Sequence, residues 1–138
     1  MIALDANVLV RYVMRDDPQQ TAQADALFGT LTARDPGYLS VVVLAELWWV
    51  LDRTYHRTRA ERQQLFGDLL ATDELAFENE RTVKQALSVT PADFPDALIA
   101  ATAQQIGCRV TATFDKAAVR RSGMTLVEDA LVGRLATR

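Results

Sequence analysis

The chain has 138 residues, 49% of them hydrophobic and 24% charged, with a net charge of −3. That length suits one globular domain with a substantial core, residues 1–138, and the acid excess is not that of a protein that binds nucleic acid through bulk positive charge. A single cysteine, Cys108, excludes an internal disulfide and points to a reducing, cytoplasmic compartment.

The chain opens without a charged-then-apolar leader, because Asp5 interrupts the first apolar run too early. The longest apolar run, Val41 to Leu51, is broken by Glu46 and is too short to span a bilayer, so no membrane role is expected. Of the 15 basic residues, 13 are Arg. That preference suits phosphate recognition, although genome composition produces the same bias.

Ile2-Ala3-Leu4 reads as a short buried strand that ends at Asp5. Asn7 is a good residue to begin a helix, which would run to Met14. Asp16-Asp17-Pro18 breaks and restarts the chain, with Asp17 as cap and Pro18 at the first helical position. A helix over Gln19–Leu31 follows, carrying Ala22, Ala26 and Leu27 at helical spacing.

Arg34-Asp35-Pro36-Gly37 is a turn, and Tyr38-Leu39 a short strand. Ser40 caps the run Val41–Leu51, in which Leu44, Leu47, Trp48 and Leu51 follow helical periodicity; its composition predicts a helix buried nearly all round. Thr58-Arg59-Ala60-Glu61 is a capping box that opens a helix to about Leu70. Leu75-Ala76-Phe77 is a strand, Asn79 a cap and Glu80–Val89 a helix.

Pro91 to Pro95 is a break. An Ala-rich helix starts at Asp96 and ends before Gly107. Cys108 is expected as a small core residue entering the strand Arg109–Thr113. A short helix to Arg121, a turn at Gly123, the strand Met124–Val127 and a terminal helix or tail complete the chain. Alternating strands and helices predict an α/β fold, a three-layer α/β/α sandwich with a short, mostly parallel sheet of about five strands.

In such a sheet each crossover helix starts at the carboxyl edge of the strands, where ligands bind. That geometry directs Asp5, Glu46, Asp96 and Asp115 to one edge. Asp5 and Asp115 could equally be turn residues, and Asp96 could favour a helix N-terminus through the dipole. Glu46 is harder to explain structurally, since an ionised acid inside Val41–Leu51 is costly to bury without a cation or Arg partner. Asp93, in Asp-Phe-Pro, reads better as a cap, and Asp96 is the preferred ligand.

No His or Cys accompanies these acids; the lone His56 sits in a basic, solvated segment. Carboxylates without imidazole or thiolate select hard cations, Mg²⁺ or Mn²⁺. Such a site supports metal-assisted phosphoryl chemistry.

The sequence resembles the PIN-domain ribonucleases and, within them, the VapC toxins of toxin–antitoxin pairs. The resemblance rests on the segments Leu4–Tyr12, Asp16-Asp17-Pro18, Val43–Leu51, Asp93–Ala100 and Thr113–Lys116, in that order and at these intervals. It implies a PIN fold and Mg²⁺-dependent cleavage of RNA, with Asp5, Glu46, Asp96 and Asp115 as the metal-holding acidic site and Asn7 and Thr113 as supporting groups. It also implies a homodimer held inactive by a VapB-type antitoxin. Ala6 departs from the pattern, since many relatives carry Thr or Ser there. Arg11, Arg15, Lys116 and Arg120 are candidates to hold flanking phosphates.

Three other readings compete. A binding module would hold RNA or protein without cutting it. A phosphotransfer receiver would need an acceptor Asp at a mid-chain strand end and a late Lys. A haloacid-dehalogenase-type phosphatase would want Asp two residues after Asp5, where Asn7 stands.

Overall fold

A computed structural model describes residues 1–89 and 93–137. The chain divides into two compact units, Met1–Glu80 and Arg81–Arg138.

The first unit is built on three parallel strands: β1 (Ile2–Ala3), β2 (Gly37–Leu39) and β3 (Leu75–Phe77), with β2 in the middle. Ile2 pairs with Gly37, and Gly37 in turn with Leu75, which fixes the register across the sheet. Parallel neighbours require crossover connections. Here α1 (Ala6–Met14) and α2 (Pro18–Phe28) join β1 to β2, and α3 (Val41–Arg53) and α4 (Arg59–Leu70) join β2 to β3.

Each helix start has a local cause. The Asp5 carboxylate accepts from the Ala6 N–H, Asp17 from Gln20 N–H, Ser40 from Val43 N–H, and Thr58 forms a reciprocal capping box with Glu61. The cap of α1 is thus Asp5 rather than Asn7, which is the second helical residue and exposed. In α2 the buried residues are Thr21 and Ala24, whereas Ala22 and Ala26 face solvent.

Helix α3 buries Leu44, Leu47, Trp48 and Leu51, one stripe at the expected spacing. Trp48 meets Phe66 of α4 edge to face at 5.4 Å, and the Arg62 guanidinium lies 4.3 Å from the Trp48 ring. The opposite face is open: Val42, Glu46 and Trp49 are exposed. The expectation of a helix buried nearly all round is therefore corrected. An apolar composition does not decide which face a helix buries.

Gly37 is required by close approach. A Cβ there would lie 2.7 Å from Leu4 Cδ1 and 3.0 Å from Leu31 Cδ1. At the end of α1, Arg15 takes a left-handed conformation, φ 56°, normally left to glycine. Its guanidinium forks onto the Asp25 carboxylate of α2, at 2.9 and 2.5 Å, which offsets that local cost.

The second unit contains α5 (Glu80–Ser88, whose first residue closes the first unit), α6 (Phe94–Gln105), β4 (Ala112–Thr113), α7 (Lys116–Ser122), β5 (Thr125–Leu126) and α8 (Asp129–Ala136). β4 and β5 are parallel, with Thr113 opposite Leu126, and α7 is their crossover. The buried residues include Val83, Phe94, Leu98, Ala118, Met124 and Leu131. The Thr82 hydroxyl donates to Gln105 Oε1 at 3.1 Å, tying α5 to α6. Gly123 ends α7 with φ 69°.

Parallel strands interleaved with helices make this an α/β protein, as expected. Among the described residues the five strands pair as three and two, not as one continuous ladder. The expected strands Arg109–Thr113 and Met124–Val127 shrink to two residues each. Cys108 is exposed rather than in the core, because it follows the exposed turn Ile106-Gly107 outside any strand. Asn79 takes φ 51°, a left-handed bend into α5 rather than an extended cap. Most of the expected break from Pro91 to Pro95 lies outside the described residues or inside α6, which already starts at Phe94. No helix among the described residues is long and apolar enough to cross a membrane.

Candidate functional site

In the first unit, three acids follow the carboxyl ends of three adjacent strands. Asp5 lies just beyond β1, where the Leu4 N–H still donates to Tyr38 O at 3.0 Å. Its Oδ1 accepts from Ala6 N–H at 2.7 Å, which orients the side chain as a cap and commits one oxygen. Glu46 stands in the second turn of α3, directly after β2, and is exposed. The argument from burial cost does not apply to it, and its candidacy rests on position alone.

The third acid, Glu78, was not among the sequence candidates. It follows β3, and its backbone N–H donates to Leu39 O at 2.9 Å. Its Oε1 accepts from Val41 N–H at 2.9 Å. Glu78 and Ser40 together accept from two of the free N–H groups that open α3, and so hold the helix that carries Glu46. The available signal was an acid immediately after a strand, the same signal that marked Asp5 and Asp115.

In the second unit, Asp93 occupies the cap position of α6, without a side-chain capping bond, and Asp96 lies in the first helical turn. Burial pushes the Asp96 carboxyl above the ordinary aspartate range, and the negative charges of Asp93 and then Asp115 push it further. Asp93 and Asp115 are therefore each within electrostatic reach of Asp96, although α6 and α7 are separate elements. Asp115 caps α7: its Oδ1 accepts from Ala117 N–H at 2.8 Å and Ala118 N–H at 3.3 Å. Its own N–H donates to the Thr113 hydroxyl at 3.0 Å. The turn Thr113-Phe114-Asp115 is thus closed from both sides.

The structure brings Asp96 and Asp115 into one electrostatic group, and sets Asp5 and Glu46 beyond adjacent strands of the first sheet. Residues 2–123 match the family model for the PIN domain. The chain belongs to the PIN domain family. PIN domains are a nuclease family, typically metal-dependent, with nucleic acid as the substrate class. No curated protein matches this PIN domain.

The donor set fits a divalent ion by its chemistry. The acids supply hard oxygen ligands only, and Asp96, raised by burial first and then by the charges of Asp93 and Asp115, is a carboxyl that a cation would favour ionised. Among the described residues no three His, Cys, Asp or Glu side chains converge closely enough to encage an ion. The PIN domain shown here presents carboxylates in reach of one another, not a closed coordination shell.

The four basic candidates fall into two pairs. Arg11 donates to Gln20 Oε1 at 2.6 Å, Asp16 Oδ1 at 3.2 Å and the Tyr55 hydroxyl at 3.1 Å, and Arg15 is forked onto Asp25. Both would have to exchange these partners to meet a phosphate. Lys116 and Arg120 are exposed, four residues apart on α7, and make no salt bridge among the described residues. Asn7 lines a cleft of about 380 Å³ with Val8, Arg11, Gln20, Gln23 and Leu27.

Proposed function

We propose that this PIN domain is a Mg²⁺-dependent endoribonuclease, with Mn²⁺ as a possible substitute, and the toxin of a VapBC-type toxin–antitoxin pair. The observation that carries the reading is the acid group at the head of α6, where Asp96 is held above its ordinary range by burial and by Asp93 and Asp115, in a chain of a nuclease family. Asp5, Glu46, Asp96 and Asp115 would hold the ion, and residues 1–138 would act as one catalytic domain. The bound ion supplies an acidified water and neutralises charge developing on the phosphodiester oxygens.

The other contributions come from the chain itself. The Thr113 hydroxyl fixes the turn that presents Asp115. With Oδ1 of Asp5 and Oδ1 of Asp115 committed to backbone N–H groups, Oδ2 is the oxygen of each left to face a ligand. Asn7 lies two residues beyond the Asp5 cap and would support it. Lys116 and Arg120 would hold flanking phosphates, and Arg11 and Arg15 would do so only after releasing Asp16, Tyr55 and Asp25. A homodimer and a VapB-type antitoxin over the acidic site belong to the same proposal.

The test is cleavage of a mixed RNA pool with Mg²⁺ and with a chelator. Cleavage that stops with chelator and is abolished by Asp5→Asn and by Asp96→Asn is expected. Full activity of either variant would refute the ligand assignment, and binding without cutting would favour a binding module. Growth arrest on expression, relieved by a small neighbouring reading frame, tests the toxin assignment.

A further inference from the structure

Phe114 is the most exposed aromatic ring of the protein's described residues, at 81%. Burying such a ring stabilises a fold, and Phe66 and Phe94 are only 1% and 2% exposed. Phe114 forgoes that gain at one particular place, between Thr113 and Asp115.

Its backbone is nonetheless fixed. The Asp115 N–H to Thr113 hydroxyl bond closes the turn, and the two N–H groups on Asp115 Oδ1 lock it to α7. The ring therefore projects into solvent from a rigid base. Lys116 and Arg120 follow on the same segment, exposed and outside any salt bridge among the described residues. Ile106 is as exposed, at 82%, but offers no π face and adjoins no acid of the candidate site.

An aromatic ring and two cations within a few residues, beside the Asp115 carboxylate, match the parts of an unpaired nucleotide: base to ring and phosphate to cations. Single-stranded nucleic acid is held by stacking its splayed bases on such rings, with little sequence preference. We propose that Phe114 is a stacking platform that receives one unpaired nucleobase next to the linkage to be cut; this rests on the nuclease reading above.

The experiment measures binding and cutting separately in the full chain. Binding of a fluorescein-labelled single-stranded RNA is followed by anisotropy in EDTA, for wild type, Phe114→Leu and Phe114→Trp, with duplex RNA in parallel. Phe114→Leu should bind the single strand about tenfold more weakly, Phe114→Trp should match wild type, and duplex binding should not separate the three. In an abasic scan, one position should weaken wild type without weakening Phe114→Leu further. Equal binding by wild type and Phe114→Leu would overturn the proposal and leave the ring as a protein-contact residue. So would an equal loss on duplex. Phe114-dependent binding without Mg²⁺-dependent cleavage would remove the nuclease reading and leave stacking intact. Cleavage with unchanged kcat/KM in Phe114→Leu would do the reverse.

Discussion

The N–H of Asp115 donates to the hydroxyl of Thr113 at 3.0 Å, across one intervening residue, and this bond fixes the backbone turn from which the Asp115 carboxylate leaves the chain. Thr113→Val keeps the shape and removes the acceptor. We expect kcat for RNA cleavage to fall about tenfold with little change in KM, as for a lost positioning group. Thr113→Ser should restore most of it. Equal activity of the Val and Ser variants in steady-state assays would show that the bond does not position Asp115.

Asp96 makes a prediction about pH. Burial, then Asp93 and Asp115, raise its folded value above the ordinary 3.8. The folded chain therefore binds this proton more tightly than the unfolded chain. The contribution to stability is full below the unfolded value and is lost as pH rises through the folded one. In EDTA at neutral pH, Asp96→Asn should raise Tm by roughly 1–3 °C, and the difference should vanish in acid below the ordinary aspartate value. Mg²⁺ should then raise the Tm of wild type more than that of Asp96→Asn. A variant less stable than wild type at neutral pH without metal would contradict this.

Tyr55 is placed by two partners. Its hydroxyl donates to Asp16 Oδ2 at 2.7 Å and accepts from Arg11 at 3.1 Å. The hydrogen bond from Tyr55 holds the Asp16 carboxyl below its ordinary range, and the bond to Asp16 holds the Tyr55 hydroxyl above its own. The depressed acid stabilises above its unfolded value of 3.8 and ceases to as pH falls through its folded value; the raised phenol stabilises below its unfolded value of 10.0 and ceases to as pH rises through its folded value. Tyr55→Phe should thus lower Tm across the neutral range, with the deficit shrinking at both extremes. A deficit that does not change with pH would mean that packing, not this network, is responsible.

Gly37→Ala places a methyl against Leu4, Leu31 and Leu75 at 2.7, 3.0 and 3.2 Å. All three contacts are the ends of flexible side chains, so the core should shift rather than fail to form. Urea denaturation should report a loss of about 1–3 kcal/mol with an unchanged m-value. No loss at all would mean that the three leucines have free space to move into.

What the sequence disclosed divides along the range of the interactions. The start of α3 at Ser40 and the capping box of α4 are local, and both were legible. The burial of Glu46 was misjudged because the run Val41–Leu51 is apolar on both faces, and only tertiary packing decides that Leu44 and Leu47 go inward while Val42 and Trp49 stay out. Glu78 carried the local signal of an acid just after a strand, but its bond to Val41, made by pairing of β2 with β3 across 37 positions in the chain, was not legible. The length of β4 was overestimated because a strand extends only as far as its neighbour, and β5 offers two residues. Asp5, Asp96 and Asp115 were found because each follows a strand or opens a helix, features that composition and punctuation reveal.

Asp5 and Asp115 each stitch a helix to the turn before it, whereas Asp96 and Glu46 accept no such backbone bond among the described residues. On the proposed reading, a lineage that lost RNA cleavage would still feel pressure for a capping side chain at positions 5 and 115, and none at 46 or 96. Decay of the proposed activity would then be read first at Glu46 and Asp96, while the other two aspartates would persist as caps.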